Sequence, residues 1–303
     1  MILVAGGTGT LGREIVARLS SAGRDVRVLT RDAAHVAGTG VEVAIGDLRD
    51  PSTLTAAAKG ASVVISAAHG LLGGRGAGPE EVDRQGNVNL LRAAVEAGVE
   101  RFVLLSVLDA RPDHSMSLHR AKYAAEQSLH ASSLSWTVLR PSSYVETWID
   151  IAGAKLASGG PAIVLGRAVN PINFVSVRDV AVLAARALTD PTLRSQTIDV
   201  TGPVNLTMEQ LARHLGASKV RHIPRSALRF SSTVLPPFAP AFARQARAAL
   251  VMDTMDMTAD ASALLARFPE IGWHSATEIA LQYRAARGGA TTGAIDTDGD
   301  GTD

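Results

Sequence analysis

Short apolar runs alternate with amphipathic stretches through the first half of the chain. The runs are rich in Val, Ile and Leu and lack the polar alternation of a half-exposed strand, which is typical of strands buried on both faces. The runs that predict strands are Met1–Ala5, Asp25–Thr30, Val41–Ile45, Ser62–Ser66, Arg101–Ser106 and Ser135–Arg140. Between them, apolar residues recur every three or four positions, which predicts helices, the longest at Pro79–Gly98 and Ser117–Ala131. Strands that alternate with helices predict right-handed βαβ units, and therefore an α/β fold with a doubly wound parallel sheet.

The pattern becomes less regular after Pro141, where the sixth strand stops. The elements predicted there are short strands at Ala162–Leu165 and Asn173–Val177, a helix at Asp179–Leu188, a strand at Gln196–Val200, and a helix from Thr207 to Leu215. We therefore predict a core over residues 1–155, joined by a strand at about 190–200, and a smaller mixed substrate lobe over residues 156–287. Residues 288–303 are poor in apolar side chains, which predicts a disordered tail.

Composition narrows the classes of function. The chain has 303 residues, no cysteine and a formal net charge of +1. The absence of cysteine excludes disulfides and thiolate catalysis and fits a reducing compartment, so we expect a cytoplasmic protein. No basic excess indicates nucleic acid, and no apolar run reaches the roughly 20 residues of a membrane span, so neither partner is expected. We also expect no signal peptide, because the first predicted strand begins at Met1 or Ile2. We expect no metal site, because the stretch that begins at Asp296 resembles the start of a calcium-binding loop but lacks the acid that such a loop needs at its twelfth position.

A glycine-rich turn follows the first strand directly. Gly6, Gly7, Gly9 and Gly12 fit the spacing G-x-G-x-x-G, and a helical pattern begins at about Leu11. Glycine permits a tight turn and lets the backbone approach a pyrophosphate, while the free N–H groups of a helix start bind negative charge. A glycine-rich turn without a ligand is the alternative, but a strand before and a helix after are the context that dinucleotide binding requires. The turn therefore predicts contacts to a dinucleotide from Gly6, Thr8, Gly9, Thr10, Leu11 and Gly12.

Residues at the ends of the next strands bear on the choice of cofactor. Arg31 follows the second strand and can bind the extra phosphate of NADP, whereas Asp32 resembles the acid that accepts the ribose hydroxyls of NAD. Because Arg31 comes first, we expect NADP(H) to be favoured over NAD(H). Asp47 has two interpretations: it accepts from the adenine amino group, or it caps the helix that starts near Pro51. Ala67 and Ala68 leave room for a ligand beside the fourth strand, before a glycine-rich loop that begins at His69.

The order of these motifs resembles the short-chain dehydrogenase/reductase superfamily, and within it the atypical NmrA-like NAD(P)-binding proteins. The matching pieces are Gly6–Gly12, Gly46-Asp47-Leu48, Val82-Asp83-x-x-Gly86-Asn87, Ala97–Val103, Leu139-Arg140-Pro141 and Phe174–Ala181. The resemblance implies a Rossmann sheet, NAD(P) binding, further cofactor contacts from Leu48, Ser106 and Pro141, and dimer contacts through the helices at Pro79–Gly98 and Ser117–Ala131.

The chain departs from the reducing members of that superfamily at one position. They carry Tyr-x-x-x-Lys on the helix after the fifth strand, and Leu118 stands where the Tyr is expected, four residues before Lys122. The resemblance implies that Lys122 holds the nicotinamide ribose, with Ser106 nearby. His119 lies three residues before Lys122 and therefore on the same helix face, so we predict it as a candidate proton donor that titrates near neutrality. A surface or packing role for His119 is the alternative.

Two functions follow from these residues and the resemblance. The first is an NADPH-dependent reductase of a small carbonyl, quinone or conjugated substrate, with Lys122, His119 and Ser106 as catalytic residues. The second is a regulatory protein that binds NAD(P) without turnover and acts through protein partners, as some NmrA-like proteins do. The missing Tyr fits the second function, whereas Ser106 and Lys122 favour the first.

Overall fold

A computed structural model describes residues 1–292, except for the side chains of residue 157 and of residues 288–292. The strands are β1 Ile2–Ala5, β2 Val26–Thr30, β3 Glu42–Ile45, β4 Val63–Ser66, β5 Arg101–Leu105, β6 Ser135–Pro141, β7 Ser143–Tyr144, β8 Ala162–Leu165, β9 Pro171–Val175, β10 Gln196–Val200, β11 Val204–Thr207 and β12 Val220–Ile223. The α-helices are α1 Thr10–Ser21, α2 Leu54–Ala58, α3 Asn87–Glu96, α4 Ser117–His130, α5 Val145–Gly153, α6 Val177–Arg186, α7 Met208–His214, α8 Arg225–Val234, α9 Pro240–Met252, α10 Ser262–Arg267 and α11 Ala276–Thr292.

A central parallel sheet organises the described part of the chain. Its seven strands have the order β10-β6-β5-β4-β1-β2-β3. Consecutive residues of β1 point to opposite faces: Ile2 and Val4 pack with α1 and α6, whereas Leu3 and Ala5 pack with α2, α3 and α4. Because apolar side chains leave both faces of β1, helices must cover both, and the predicted doubly wound fold is confirmed. The strand order reverses between β1 and β4, and ligands bind in this fold at the carboxyl ends of those strands.

The later part of the chain forms smaller mixed elements, as predicted. β11, β9 and β7 make a short mixed sheet, and β12 pairs with β8. Thr207 begins α7 with a capping box in which its hydroxyl accepts from the Gln210 N–H. α8 and α9 pack against each other as a helical hairpin. α11 extends to Thr292, five residues into the predicted tail, and residues 293–303 lie outside the described part.

The segment predicted as one helix over Pro79–Gly98 is not a single α-helix. Residues Glu80–Gly86 form a π-helical stretch, and the α-helix begins only at Asn87. The apolar positions Val82, Val88, Leu91 and Val95 could not distinguish the two, because only Val82 lies within the π-helical stretch and one position shows no period. The wider turn places Asp83 completely inside the protein, and π-turns of this kind often lie at functional sites.

Candidate functional site

The glycine turn after β1 has the shape of a phosphate cradle. Gly6 adopts a left-handed conformation (φ +79°), and a Cβ there would lie 2.6 Å from the backbone of Ala67 and Ala68. A Cβ on Gly12 would overlap the Gly6 carbonyl oxygen, so the start of α1 can approach the turn only with glycine. Gly9 differs, because a Cβ there would meet only the Gly6 oxygen, at 3.5 Å. The space beside Gly9 is therefore open for a ligand.

The start of α1 leaves its amide groups available. Gly9 is the N-cap residue, and no side chain caps the helix, so the first-turn N–H groups have no partner within the helix. The turn brings together the predicted residues Gly6, Thr8, Gly9, Thr10, Leu11 and Gly12. The Leu11 side chain is buried in the core, so that residue can offer a ligand only its backbone.

Asp32 makes a hydrogen bond within the chain, whereas the side chain of Arg31 is exposed. Arg31 is exposed directly after β2, and its charge is among the causes that lower the pKa of Asp47. Asp32 accepts a hydrogen bond from the Ala34 N–H at 2.9 Å and caps a short 3-10 helix. Part of the Asp32 carboxylate is thus committed to the chain itself, whereas the Arg31 guanidinium faces solvent.

Asp47 pairs with an arginine, and the predicted capping role for it is wrong. Its two carboxylate oxygens accept from Arg49 at 2.5–3.1 Å, and this hydrogen bonding is the main cause that lowers its pKa. The turn at Pro51 is capped instead by Asp50, which accepts from the Ser52 N–H at 3.1 Å. The neighbouring Leu48 is buried, and a Cβ on Gly86 would lie 2.9 Å from its Cβ. The adenine contact predicted for Asp47 stays a prediction.

Lys122 lies buried at the carboxyl end of β4. Its ammonium donates to the Ala68 carbonyl at 2.8 Å and lies 3.1 Å from Asp83 Oδ1, an ionic contact without hydrogen-bond geometry. The other oxygen of Asp83 accepts from the Gly70 N–H at 2.7 Å. Asp83 therefore joins α4, the π-helical stretch and the loop after β4. Asp83 belongs to the sequence motif Val82-Asp83-x-x-Gly86-Asn87, but sequence reasoning did not predict that it pairs with Lys122.

Ser106 lies immediately after β5, at the carboxyl end of that strand, and its hydroxyl proton is used in a hydrogen bond within the protein. It is buried and donates to Glu126 Oε1, whose carboxylate also accepts from Arg140 Nε at 2.9 Å and from Arg140 Nη2 at 2.5 Å. A fully buried carboxylate requires such partners. The Ser106 hydroxyl can still accept a hydrogen bond, but its own proton points to Glu126. Pro141, the last residue of β6, accepts through its carbonyl from the Leu108 N–H at 2.9 Å.

His119 is buried against a second histidine. The His114 and His119 rings stack with their centroids 3.8 Å apart, and His119 Nδ1 has no hydrogen-bond partner among the described residues. Burial is the main cause that lowers the pKa of His119 to about 3, and the charge of His114 lowers it further. The expectation that His119 titrates near neutrality is therefore wrong, because the ring is neutral at pH 7. Leu118, in the position of the missing Tyr, is half-buried.

His69 is a titratable group near Lys122 that sequence reasoning assigned no role. Its side chain reaches solvent, yet the protein atoms packed around it lower its pKa. Asp83 raises that pKa and Lys122 lowers it, so the three charges lie close enough to interact. Its place at the start of the loop after β4 was visible in the sequence, but its proximity to Lys122 was not.

The loop after β4 is tied down on two sides. On one side, Arg49 Nη1 donates to the Gly76 carbonyl at 2.8 Å. On the other, Arg75 donates to the Pro237 carbonyl at 2.8 Å, and Arg244 donates to the Gly73 carbonyl. The loop thus runs from the Asp47 region to the α8–α9 hairpin. Among residues 1–292, no helix combines the length and the apolar character that crossing a bilayer requires.

Comparisons with known proteins show the family to which the chain belongs. A model of an NAD(P)H-binding family matches residues 6–191. An NAD(P)H azoreductase of Xenophilus azovorans is 34% identical over 226 residues, which cover 74% of this chain and 75% of the azoreductase. The photosystem II assembly factor Ycf39 of Guillardia theta is 30% identical over 240 residues, 76% of this chain and 75% of that protein.

A solved structure shares the fold. The Escherichia coli NADPH-dependent quinone oxidoreductase in complex with NADPH superimposes with a TM-score of 0.73 at 22% identity, over 93% of this chain and 99% of that one. The family model covers more than half of the chain and includes the glycine turn, Lys122 and Pro141. The chain therefore belongs to the NAD(P)H-binding family that this model describes.

Proposed function

We propose that this chain, an NAD(P)H-dependent oxidoreductase, prefers NADPH and reduces a small quinone, conjugated compound or carbonyl. The position of Lys122 carries the proposal. Its ammonium is held by Asp83 and the Ala68 carbonyl at the end of β4, beside the strand that leads into the glycine turn. A fixed positive charge at that edge favours both a ribose hydroxyl and negative charge that develops on an acceptor.

The residues present fit a dinucleotide. The open space beside Gly9 and the uncapped start of α1 suit a pyrophosphate. An ammonium has three donors, and the Ala68 carbonyl uses one of those on Lys122, so donors remain for ribose hydroxyls. Arg31 is exposed at the end of β2, where the adenine ribose lies in folds of this kind. This supports NADPH as the preferred cofactor.

None of the three positions that sequence reasoning placed around Lys122 supplies a free proton donor, and this favours particular acceptors. When bound, the nicotinamide supplies the hydride. Leu118 offers no hydroxyl, Ser106 donates to Glu126, and His119 is a neutral buried ring. A ketone that receives a hydride becomes an alkoxide and needs a proton at once, whereas a quinone or enone spreads the charge over its conjugated system. The site therefore supports conjugated acceptors over isolated ketones, and the names of the azoreductase and quinone oxidoreductase relatives support the same class.

A turnover screen tests the proposal. Purified protein with NADPH is mixed separately with quinones, enones, azo dyes, aldehydes and ketones while absorbance of the reduced cofactor is followed. We expect turnover of conjugated acceptors and little of simple ketones. A variant tests where the cofactor binds. Gly9→Val adds a side chain to the open space and should weaken NADPH binding at least tenfold, about 1.4 kcal/mol. If the folded Gly9→Val protein binds NADPH as the wild type does, the pyrophosphate does not bind at the turn.

A second function, NAD(P) sensing without turnover, is supported by two observations. Leu118 replaces the usual proton donor, and one relative is named as an assembly factor. Tight NADPH binding without reduction of any acceptor would favour this function. Its own test is affinity capture of partner proteins with and without NADPH, where a sensor should capture different partners in the two conditions.

A further inference from the structure

The α8–α9 hairpin exposes a line of large apolar side chains. Phe230, Val234, Phe238 and Phe242 are 63%, 45%, 83% and 50% exposed, respectively. Three of the chain's six phenylalanines are among them. Val234 ends α8, Phe238 lies in the link between the helices and Phe242 lies in the first turn of α9, so all three lie at one end of the hairpin. Large apolar side chains exposed together in this way mark an interaction site.

The same segment carries a concentrated positive charge. Residues 210–252 contain seven basic residues and no acidic one, although the whole chain has 30 basic and 29 acidic residues. The rest of the chain therefore has 23 basic against 29 acidic residues, a net charge of −6. Arg229 and Arg247 are exposed next to the phenylalanines: Arg229 precedes Phe230, and Arg247 donates to the Ser232 carbonyl at 3.1 Å.

The backbone of the hairpin link suits an apolar medium. Pro236, Pro237 and Pro240 have no N–H group, and the N–H groups of Phe238 and Ala239 both donate to the Leu235 carbonyl at 3.0 and 2.7 Å. A link with few free donors can enter an apolar layer at little cost in lost hydrogen bonds. Nucleic acid instead requires donors directed at phosphates and bases. Exposed phenylalanines beside arginines, with a satisfied backbone, are the composition of an interfacial membrane anchor.

We propose that the α8–α9 hairpin docks the protein on the surface of an anionic lipid bilayer. Phe230, Phe238 and Phe242 enter the boundary between head groups and acyl chains, while Arg229 and Arg247 lie at the anionic head groups. That residues 1–292 contain no helix able to span a membrane does not bear on this, because the hairpin lies on the membrane surface. The inference does not depend on the proposed reductase function. Because Arg75 and Arg244 join the hairpin to the loop after β4, docking places that loop near the bilayer.

Vesicle binding tests the inference with the full chain. The protein is sedimented with vesicles of phosphatidylcholine alone and of phosphatidylcholine mixed with phosphatidylglycerol. We expect binding only to the anionic vesicles, and loss of that binding at high salt. Both Phe230→Ser/Phe238→Ser and Arg229→Gln/Arg247→Gln should weaken binding about tenfold or more. Matched controls are Leu281→Ser and Arg92→Gln, which remove an exposed apolar residue of α11 and an exposed charge of α3 and should change nothing.

The lack of cysteine allows a second readout. In Phe238→Cys, a polarity-sensitive fluorophore attaches at one position, and its emission should shift to the blue with anionic vesicles, whereas a label at Leu281→Cys should not respond. Equal binding to both kinds of vesicle, or unchanged binding by both double variants, overturns the inference. Loss of a dimer in Phe238→Ser, without any vesicle binding by the wild type, would assign the surface to self-association. Binding of single-stranded nucleic acid in place of vesicles would likewise overturn it.

Discussion

Arg31 is the residue on which the proposed preference for NADPH depends. Its guanidinium is exposed at the end of β2, whereas the neighbouring Asp32 is engaged in a backbone cap. Arg31→Ala should weaken NADPH binding about tenfold, or 1.4 kcal/mol, and leave NADH nearly unchanged, because only NADPH carries the additional phosphate. Calorimetric titration with both cofactors measures this, with Arg24→Ala as the control at another exposed arginine. Equal losses for the two cofactors would remove Arg31 from the phosphate site.

The burial of His119 predicts how the free energy of unfolding depends on pH. Its pKa is about 3 in the folded protein and about 6.5 in an unfolded chain. The unfolded state therefore binds more protons below pH 6.5, so this contribution to stability is complete above pH 6.5 and is lost as the pH falls. Between pH 7.5 and pH 5 the loss amounts to about 2 kcal/mol. His119→Phe, which keeps an aromatic ring on His114, should lose less stability over that interval than the wild type.

Chemical denaturation at the two pH values measures the difference. His35→Gln, at an exposed histidine, should behave as the wild type does. Enzyme assays of the same variants address the predicted acid role, because loss of a general acid costs roughly 10²-fold or more in rate. A ring that is already neutral at pH 7 gives no decline in rate near pH 6–7, so an alkaline limb that disappears in His119→Phe would contradict the burial described above.

At the scale of the elements, the π-helical stretch holds the charge partner of Lys122. Asp83→Asn keeps the shape of the side chain but leaves the buried ammonium of Lys122 without its counter-charge. We expect Asp83→Asn to lower the melting temperature and to weaken NADPH binding at least about tenfold, because an unpaired buried charge is destabilising and the ammonium loses the partner that positions it. Glu80→Gln, in the same turn but exposed and paired with Arg84, is the matched control.

A structural role alone would predict a different result. If Asp83→Asn lowered stability yet bound NADPH with unchanged affinity, the Lys122 ammonium would not contact the cofactor. Lys122→Ala, which removes the ammonium itself, should weaken NADPH binding at least as much as Asp83→Asn does.

The sequence predicted the strands well and the side-chain contacts poorly. The apolar runs located β1, β2, β3 and β4 to within one residue, although β3 lies at the edge of the sheet and is largely exposed. The π-helical stretch was missed because Val82 is its only large apolar residue, so the stretch shows no apolar period of its own. The engagement of Ser106 by Glu126 and of Asp47 by Arg49 depends on side-chain directions that spacing does not determine. Glu126 lies four residues after Lys122 on α4, but nothing in the sequence indicated that Arg140 would reach it.

At the scale of the whole molecule, a segment of the second half of the chain packs against elements of the first half. Phe268 and Ile271 pack in the same core as α1 and α6, although they fall within the predicted substrate lobe of residues 156–287. α6 itself also packs there, so this lobe and the core share apolar side chains. The division into a cofactor-binding core and a substrate lobe stays a prediction. The expected dimer also stays a prediction.

A buried contact joins these distant parts of the chain. Asp179, on α6, accepts from the His274 backbone N–H at 2.9 Å, and its other oxygen lies 2.6 Å from His274 Nδ1. Asp179 is 1% exposed, so a variant without the carboxylate leaves both groups of His274 without their partner. Asp179→Ala should therefore reduce the free energy of unfolding by about 3 kcal/mol and the melting temperature by roughly 5–10 °C. Asp179→Asn, which keeps one oxygen acceptor, should cost less.

Differential scanning calorimetry distinguishes a shared core from two independent units. Because Phe268 and Ile271 belong to the core of the first half, we expect one cooperative transition in the wild type and in Asp179→Ala, moved to lower temperature in the variant. Asp150→Asn, at an exposed acid on α5, should leave the transition unchanged. If Asp179→Ala instead produced two transitions, with the upper one at the wild-type temperature, the lobe would unfold by itself and the contact at His274 would only dock it. A single transition that moves as a whole would mean that α6, the segment at His274 and the parallel sheet fold as one unit.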